Sequence, residues 1–363
     1  MKNEKLKVAL VHDWLTTFGG SEQVLLSLHQ LFPQAPIYTT IYNQKSLPQF
    51  KDAKIATSYL DRLPFAKTHH QVLIPLMPKA VESYDLSDFD LIISDSHACA
   101  KGAIKDKNAK HICYCHTPMR YVWRKEIDPR ANSSWLRRQT IKYLKKWDLA
   151  TIDRVDKYIA NSSYIKERIK DVYHRDAVVI YPPVLTKQFY PVKSVKELGD
   201  YYLYVGRLIS YKKPGLVIEA FNQLGLPIKV VGTGPELLKL KSKAQNNIEF
   251  LGKVGDEELR KIYARALAFV FPAEEDFGVV MVEAIASGRP VIAYEKGGSL
   301  EIVKKGISGE FFGEQTVESL ISAIKSFHPE EYQPENVKRE AEKFDQSIFK
   351  KRIIDYIKDE IKN

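Results

Sequence analysis

Two carboxylates stand eight residues apart in a stretch that is otherwise largely apolar, Glu275 and Glu283. Residues 268–271 form a short apolar run that predicts a buried strand, with Glu275 in the loop after it. Residues 279–286 are apolar on every side of a helical wheel except at Glu283, which predicts a helix buried all round. A buried carboxylate needs a partner. Two partners stay open: a structural salt bridge or helix cap, and a hydroxyl-rich ligand such as a sugar or a ribose. The position beyond a strand end favours the ligand.

A pair of cations follows an apolar run in the second half of the chain, Arg207 and Lys212. The guanidinium of Arg207 offers a planar fork for phosphate oxygens, and Lys212 offers a compact charge. Lys213 is an adjacent alternative to Lys212. Surface cations are usually solvated, but the place directly after a predicted strand favours an anionic ligand here.

A histidine, His116, begins a His-Thr-Pro turn directly after the predicted strand at residues 111–115. A histidine at a strand end can contact a reacting sugar. A lone histidine is as often a hydrogen-bonded structural residue, and the residues alone leave both interpretations open.

Glycines follow two predicted strands. Gly19 and Gly20 precede a predicted helix, where backbone N–H groups and the helix dipole attract an anion. The alternative is a plain loop in which Ser21 caps the helix. Gly232 and Gly234 stand in a run that lacks the third glycine of a dinucleotide fingerprint, which argues against a dehydrogenase. This second run is either a structural turn or a nucleotide loop.

Residues 120–146 are strongly basic and contain interleaved aromatic residues. The cations are Arg120, Arg124, Lys125, Arg130, Arg137, Arg138, Lys142, Lys145 and Lys146, against Glu126 and Asp128. Together with Trp123 and Trp135, they suit an anionic membrane surface. A solvated helix face is the equal alternative, and no nucleic-acid-binding module accompanies them.

Strand-like runs alternate with helical runs in both halves of the chain, which predicts an α/β fold of parallel sheets with helices on both faces. The predicted strands are residues 7–11, 37–40, 91–94, 111–115, 157–160 and 178–181, then 202–205, 228–231, 248–251, 268–271 and 291–293. The predicted helices are residues 22–31, 135–152, 164–173 and 279–286, with an amphipathic tail at 347–361. Prolines at 182 and 183 end the first half.

Composition narrows the classes of protein. A net charge of +10 and a pI of about 9.1 predict an anionic partner, such as a nucleotide or a membrane surface. Three cysteines are too few for a disulfide framework and indicate a reducing compartment. No apolar run reaches the length of a membrane span, so we expect a cytoplasmic protein. No His, Cys, Asp or Glu grouping has metal-ligand spacing.

The acidic pair and its flanks resemble a known family. Glu275 and Glu283, with Phe277-Gly278 between them and residues 288–291 (Gly-Arg-Pro-Val) after them, resemble the acidic motif of glycosyltransferase family 4, whose members are retaining enzymes of the GT-B fold. Asp276 stands where many members have glycine. The glycine loop, the His-Thr-Pro segment, the cation pair and the acidic motif occur in the family's order.

This resemblance implies a fold of two Rossmann-like lobes that face each other across a cleft. Residues 1–184 would form the acceptor-side lobe, with a C-terminal helix at 345–363 packing back onto it. Residues 185–199 would be a linker, and residues 200–344 would bind the nucleotide-sugar donor.

The resemblance also implies roles for the candidate residues. Arg207 and Lys212 would hold the donor diphosphate as it leaves, Glu275 would hold the sugar hydroxyls, and His116 would contact the same sugar. The donor-binding set would be Gly19, Gly20, Gly232, Gly234, Phe277, Gly278, Val279 and Glu283, with Glu283 on the ribose diol. Arg120, Trp123, Arg137 and Arg138 would face the acceptor or a membrane. No metal and no other cofactor would be required.

The run at residues 113–123, together with residues 12–15 (His-Asp-Trp-Leu), is most similar to GDP-mannose-dependent bacterial mannosyltransferases of surface-polysaccharide synthesis. We therefore expect a retaining transferase that moves a sugar, in the first place mannose from GDP-mannose, to a glycan or lipid-linked acceptor. Alternatives are a UDP-sugar-dependent transferase, a sugar-nucleotide epimerase, and a nucleotide-sugar-binding protein without chemistry. The expected location is the cytoplasm, including the inner face of the cell membrane.

Overall fold

A computed structural model describes residues 6–123, 135–192 and 197–362. The chain forms two compact units: Met1–Pro183 with Phe349–Asn363, and Val184–Ile348. The described residues of the predicted linker belong to the second unit, which begins at Val184. The Thr186 hydroxyl donates to Asp345 at 2.7 Å, and the ring of Phe189 lies 6.1 Å from that of Tyr263.

The first unit contains a parallel sheet in the order β3-β2-β1-β4-β5-β6-β7. Its strands are β1 (Val8–His12), β2 (Ile37–Thr39), β3 (Ile55–Thr57), β4 (Leu91–Ser96), β5 (Lys110–Cys115), β6 (Lys157–Ala160) and β7 (Ala177–Val179). The helices between them are α1 (Gly20–Leu31), α2 (Ala66–His69), α3 (Met77–Glu82), α4 (Arg120–Trp123), α5 (Trp135–Ala150) and α6 (Ser163–Tyr173).

The second unit repeats this plan with a parallel sheet in the order β10-β9-β8-β11-β12-β13. Its strands are β8 (Tyr202–Val205), β9 (Ile228–Val231), β10 (Ile248–Gly252), β11 (Phe269–Phe271), β12 (Val291–Tyr294) and β13 (Gly309–Phe312). Its helices are α7 (Pro214–Leu224), α8 (Leu237–Lys241), α9 (Asp256–Arg265), α10 (Val279–Ala286), α11 (Ser299–Ile302), α12 (Val317–Lys325) and α13 (Pro334–Arg339). The predicted α/β class with two Rossmann-like units is therefore confirmed.

The last helix, α14 (Gln346–Lys362), contributes Phe349, Ile353 and Ile357 to the core of the first unit. In β1, Val8 and Leu10 pack into this core with α1 and α14, while Ala9 and Val11 pack into the core on the opposite face. Since successive strand residues point to opposite faces, the sheet is apolar on both sides and helices cover both.

Both sheets change winding direction at one place, between β1 and β4 in the first unit and between β8 and β11 in the second. At such a point the connections leave in opposite directions, and a crevice opens beyond the carboxyl ends of the two strands. Of the helices in the described ranges, none combines the length and apolar surface needed to cross a bilayer.

Candidate active site

In the second unit, the cation pair and the acidic motif lie at the crevice between β8 and β11. These two strands are hydrogen-bonded neighbours, with Phe269 opposite Leu203. Arg207 follows β8 after one residue, Gly206, and its side chain is exposed. Glu275 follows β11, so the strand order brings Glu275 to the same sheet edge as Arg207 and Lys212.

Lys212 contacts Glu275 directly. The Lys212 Nζ lies 2.8 Å from Glu275 Oε1, and the two side chains are 22% and 14% exposed. Lys213 instead has a left-handed backbone (φ 55°) immediately before α7, and it is exposed. Lys212 is therefore the residue that completes this cluster, and a cation and an acceptor-only carboxylate stand side by side at the strand ends.

A pocket of about 450 Å³ adjoins Arg207. Its wall includes Gly206, Arg207, Gly232, Thr233, Gly234 and Leu259. Gly232 has φ 134°, and a Cβ there would collide with the carbonyl oxygen of Gly206. A Cβ at Gly234 would collide with the Leu208 carbonyl. Both glycines thus allow two loops to lie in contact beside a pocket whose volume suits a small ligand.

Glu283 lies in α10, which has the predicted bounds and buries the five residues Met281, Val282, Ala284, Ile285 and Ala286, while Val279, Val280 and Glu283 are half-buried. The hydroxyl of Tyr263 in α9 donates to Glu283 Oε2 at 3.1 Å. Burial raises the pKa of Glu283 to about 7. Among the described residues the partner is therefore a hydroxyl group and not the cation of a salt bridge. Leu259, one turn before Tyr263 in α9, lines the pocket, so this helix joins Glu283 to the pocket wall.

The flanks of the acidic motif have structural roles in this unit. The ring of Phe277 is buried against Phe344, with ring centroids 5.5 Å apart. Gly278 has φ 102° and directly precedes α10, which begins at Val279. The Phe277 ring is therefore part of the packing of this unit and not of the pocket wall.

In the first unit, a buried carboxylate joins two histidines from neighbouring strand ends. His12 ends β1, Asp95 lies near the end of β4, and His116 follows β5. Asp95 Oδ2 lies 2.9 Å from His12 Nδ1, and Asp95 Oδ1 lies 2.6 Å from His116 Nε2. Burial opposes the charge on both His12 and Asp95, but their neighbours outweigh it. Hydrogen bonds and charges of Asp95 and Glu22 raise the pKa of His12 to about 10, and those of His116 and then His12 lower the pKa of Asp95 to about 2.

The glycine loop is linked to the same cluster. Helix α1 begins at Gly20 with Gly19 before it, and the Ser21 hydroxyl donates to Glu22 Oε2 at 3.0 Å instead of capping the helix. Glu22 Oε1 lies 3.6 Å from His12 Nε2. Burial opposes ionisation of Glu22, yet the hydrogen bond and charge of His12 lower its pKa. His12 is thus a buried cation between two carboxylates.

Asp13 fixes the loop that follows β4. Its carboxylate accepts backbone hydrogen bonds from His97, Ala98, Cys99 and Ala100 at 2.5–2.9 Å. Burial lowers the pKa of His97 to about 4, so this neighbouring imidazole is neutral at pH 7. Because one carboxylate accepts four backbone hydrogen bonds, Asp13 holds the loop after β4 in place beside the cluster of His12, Asp95 and His116.

His12, Glu22 and Asp95 were not identified as site residues from the sequence. A usable signal was present, since His12 and Asp95 are polar residues at the ends of apolar strands. Within the described ranges, no group of three or more His, Cys, Asp or Glu residues has the arrangement of a metal site.

The basic segment lies partly outside the described residues, which include Arg120 and Trp123 and resume at Trp135. Trp123 is tied inward, because its indole N–H donates to the buried carboxylate of Asp148 at 2.7 Å. Two aromatic residues of this segment are exposed among those described, Trp135 at 63% and Tyr143 at 42%. In α5, Arg138 is exposed and Arg137 is half-buried.

Two family models match consecutive parts of the chain. Residues 18–188 match the model described as Glycosyltransferase Family 4, and residues 187–344 match Glycosyl transferases group 1. The chain is also similar to the Anabaena protein HepE solved in complex with UDP and glucose, with a TM-score of 0.72, 18% identity and coverage of 97% of this chain and 99% of that one. That likeness concerns the fold.

Curated relatives align with parts of the chain. An uncharacterized glycosyltransferase of Methanocaldococcus jannaschii is 32% identical over 42% of this chain. A GDP-mannose-dependent alpha-mannosyltransferase of Corynebacterium glutamicum is 28% identical over 51% of it. An alpha-1,3/1,6-mannosyltransferase of Saccharomyces cerevisiae is 25% identical over 85% of this chain and 73% of its own length. The chain spans less than half the length of the first two, 44% and 45%.

Proposed function

The chain belongs to the glycosyltransferases of the GT-B fold, with a family 4 domain followed by a group 1 domain, and we propose that it transfers mannose from GDP-mannose to a glycan or lipid-linked acceptor with retention of anomeric configuration. The observation that carries this proposal is the contact of Lys212 with Glu275 at 2.8 Å, beside Arg207 and its pocket. One sheet edge offers cations to a diphosphate and a carboxylate to sugar hydroxyls.

The proposed reaction breaks the bond between the sugar C1 and the diphosphate oxygen. Arg207 and Lys212 stabilise the negative charge that develops on the leaving GDP, and a preorganised cation pair is an effective source of such stabilisation. The acceptor hydroxyl attacks C1 from the face that the diphosphate leaves, and its proton passes to a phosphate oxygen. The products are the glycoside and protonated GDP, so no protein base and no metal ion is needed.

Each remaining candidate has one role in this proposal. Glu275 accepts hydrogen bonds from sugar hydroxyls, and a bound diphosphate replaces it as the partner of Lys212. Glu283 accepts from the ribose diol, while the backbone at Gly232 and Gly234 borders the nucleotide. His116, in the first unit, contacts the same sugar, as the family resemblance implies.

The mannose assignment is supported by the mannosyltransferase names of the Corynebacterium and yeast relatives. A UDP-sugar-dependent transferase is the second candidate, in view of the UDP bound to HepE. An epimerase and a binding protein without turnover use the same kind of site, so turnover has to decide between them.

The test begins with donor selectivity. GDP-mannose should raise the melting temperature of the protein more than UDP-glucose does at the same concentration, because a ligand of the folded state stabilises it by mass action. GDP release from GDP-mannose should then require an acceptor, for which methyl α-mannoside and polyprenyl-linked oligosaccharides are suitable probes. Stabilisation by UDP-glucose alone would contradict the donor assignment. GDP-mannose turnover to an epimer, or none with any probe, would contradict transfer.

Two substitutions test the site itself. Arg207→Ala and Glu275→Ala should each lower GDP release by about 100-fold or more, the usual effect of removing one group that stabilises transition-state charge. Arg339→Ala and Glu219→Ala are matched controls, since both residues are exposed on helices of the same unit. Equal losses in the controls would contradict the assignment.

We also propose that an anionic membrane surface is a partner of the first unit. Exposed apolar side chains lie on two segments that pack on one core cluster through Leu60, Ala66, Ile74 and Leu144. They are Tyr59, Leu63, Phe65, Val72 and Leu76 on one segment, and Trp135, Leu136 and Tyr143 on the other. Exposed cations occur in the same two segments: Arg62, Lys67, Arg138, Lys142, Lys145 and Lys146. Apolar anchors among cations suit anionic lipid headgroups.

A further inference from the structure

Asp95 is buried completely and its two oxygens go to different histidines. None of the reaction steps above uses it. The carboxylate lies behind His116, whose side chain is 11% exposed, while Asp95 itself has no exposed side-chain surface. A ligand at the strand ends can therefore reach His116 but not Asp95.

The chemistry of the carboxylate determines which nitrogen of His116 carries a proton. An ionised carboxylate only accepts hydrogen bonds. Both imidazoles must then donate to Asp95, His12 through Nδ1–H and His116 through Nε2–H. The second nitrogen of His12 points towards Glu22, at 3.6 Å, which is the arrangement of a doubly protonated ring between two anions.

Nδ1 of His116 is the ring nitrogen that remains. Within the described residues Nδ1 has no hydrogen-bond partner, and the His116 side chain keeps 11% of its surface exposed. The ring is also fixed sterically, at 5.2 Å from the ring of Tyr114, and the backbone carbonyl of His116 accepts from Asn161 at 3.1 Å. In the neutral ring this second nitrogen is an acceptor.

We propose that Asp95 is a positioning residue, which holds Nε2–H of His116 so that the Nδ1 lone pair accepts a hydrogen bond from a hydroxyl group of the donor sugar. His12 supports this arrangement, because its positive charge between Asp95 and Glu22 helps to keep Asp95 an ionised carboxylate that accepts hydrogen bonds. The identity of the ligand rests on the function proposed above, whereas the state of the His116 ring does not.

The test is therefore in two parts, of which the first needs no substrate. Nitrogen chemical shifts of ¹⁵N-histidine-labelled protein distinguish the two neutral tautomers, and a His116→Gln sample identifies the signals of this ring. We expect the Nε2–H tautomer in the wild type. Asp95→Asn should change it, because an amide can also donate, whereas Asp95→Glu keeps a carboxylate and should preserve it if the chain repacks. Asp148→Asn is the matched control for the shifts: it is an equally buried aspartate that contacts Lys101, Trp123 and Tyr173.

The second part measures GDP release. Asp95→Asn and His116→Ala should each lower kcat/KM by about 10- to 100-fold, the usual effect of losing an orienting partner. The double variant should be no slower than His116→Ala, since Asp95 acts only through that ring. A merely structural Asp95 would give additive losses.

The outcomes separate the two proposals. An unchanged His116 tautomer in folded Asp95→Asn, or additive losses in the double variant, would overturn the positioning role. If the tautomer depends on Asp95 while His116→Ala turns over normally, the ring geometry is supported and the sugar contact of His116 fails.

Discussion

At the residue scale, the most informative group is Glu283. Burial in the folded protein disfavours its ionised form, whereas the proposed role in binding requires a hydrogen-bond acceptor. The folded protein holds the pKa of this carboxyl near 7, above its ordinary value of 4.5, through burial. The folded state therefore binds a proton more tightly than the unfolded chain, and the free energy of unfolding falls as the pH rises from about 4.5 through 7. The acceptor that we propose for the ribose diol is thus kept at a cost in stability.

Glu283→Gln should raise the stability of the protein at pH 8 and leave it nearly unchanged at pH 4. The amide cannot ionise but still accepts from the Tyr263 hydroxyl. We expect a gain of about 1–3 kcal/mol, since one pKa unit corresponds to about 1.4 kcal/mol and partial exposure reduces the effect. Thermal unfolding at both pH values measures it, and GDP-mannose should bind the variant more weakly. Glu219→Gln, exposed in α7, is the control; an equal gain there, or a gain at pH 4, would contradict the explanation.

The sequence predicted the residues of the second-unit cluster better than those of the first. Arg207, Lys212 and Glu275 each follow a strand in the chain, and strand order alone brings them to one edge. The partners of His116 are a different case. Asp95 contacts His12 across 83 residues of sequence, and this pairing depends on β1 and β4 being neighbours. A polar residue at a strand end indicates a site, but it does not name its partner.

At the element scale, the strands that sequence reasoning missed are both at sheet edges. They are β3 and β13, the outermost strands of their sheets. In β3 no residue is fully buried, and β13 has half-buried residues at its centre, so neither shows the continuous apolar run of a central parallel strand. The buried helix α10 was predicted with its exact bounds because eight successive residues, apart from Glu283, are apolar.

The loop after β9 carries a steric requirement that can be tested. Gly232→Ala should reduce both stability and GDP-mannose affinity, because its Cβ would collide with the Gly206 carbonyl beside the pocket and φ 134° is unfavourable for alanine. We expect a loss of about 2 kcal/mol or more in the free energy of unfolding. Gly313→Ala is the matched control, since no atom lies within 4 Å of the added Cβ. Similar losses in both variants would show that loss of glycine flexibility, and not the close approach, is responsible.

At the scale of the whole molecule, the chain leaves the first unit at Pro183 and returns to it at Phe349. Apolar contacts of α14 stabilise its packing on the first unit. Glu360 in this helix also forms ion pairs with Lys110 and Lys157, at 3.5 and 3.3 Å. The amphipathic pattern of the tail predicted this helix. The packing of α14 on the first unit was implied only by the family resemblance. A stripe of isoleucines indicates that one face of a helix is buried, but it does not identify the surface that covers this face.

The net charge of +10 favours binding to an anionic surface, and we propose that the exposed residues of the first unit are where a membrane binds. We expect the protein to sediment with vesicles that contain phosphatidylglycerol and not with pure phosphatidylcholine, and we expect salt to weaken this binding because exposed charges are screened.

Leu136→Ser and Phe65→Ser, at residues 71% and 76% exposed, should each weaken binding by about 10-fold, as a fully inserted apolar side chain contributes about 1.5–3 kcal/mol. Leu238→Ser is the control, since Leu238 is 81% exposed in the second unit. If Leu238→Ser weakened binding as much, or if neutral vesicles bound equally well, the binding would be non-specific and the proposed surface would be wrong. Loss of binding in Leu136→Ser and Phe65→Ser with unchanged turnover of a water-soluble acceptor would separate membrane contact from catalysis.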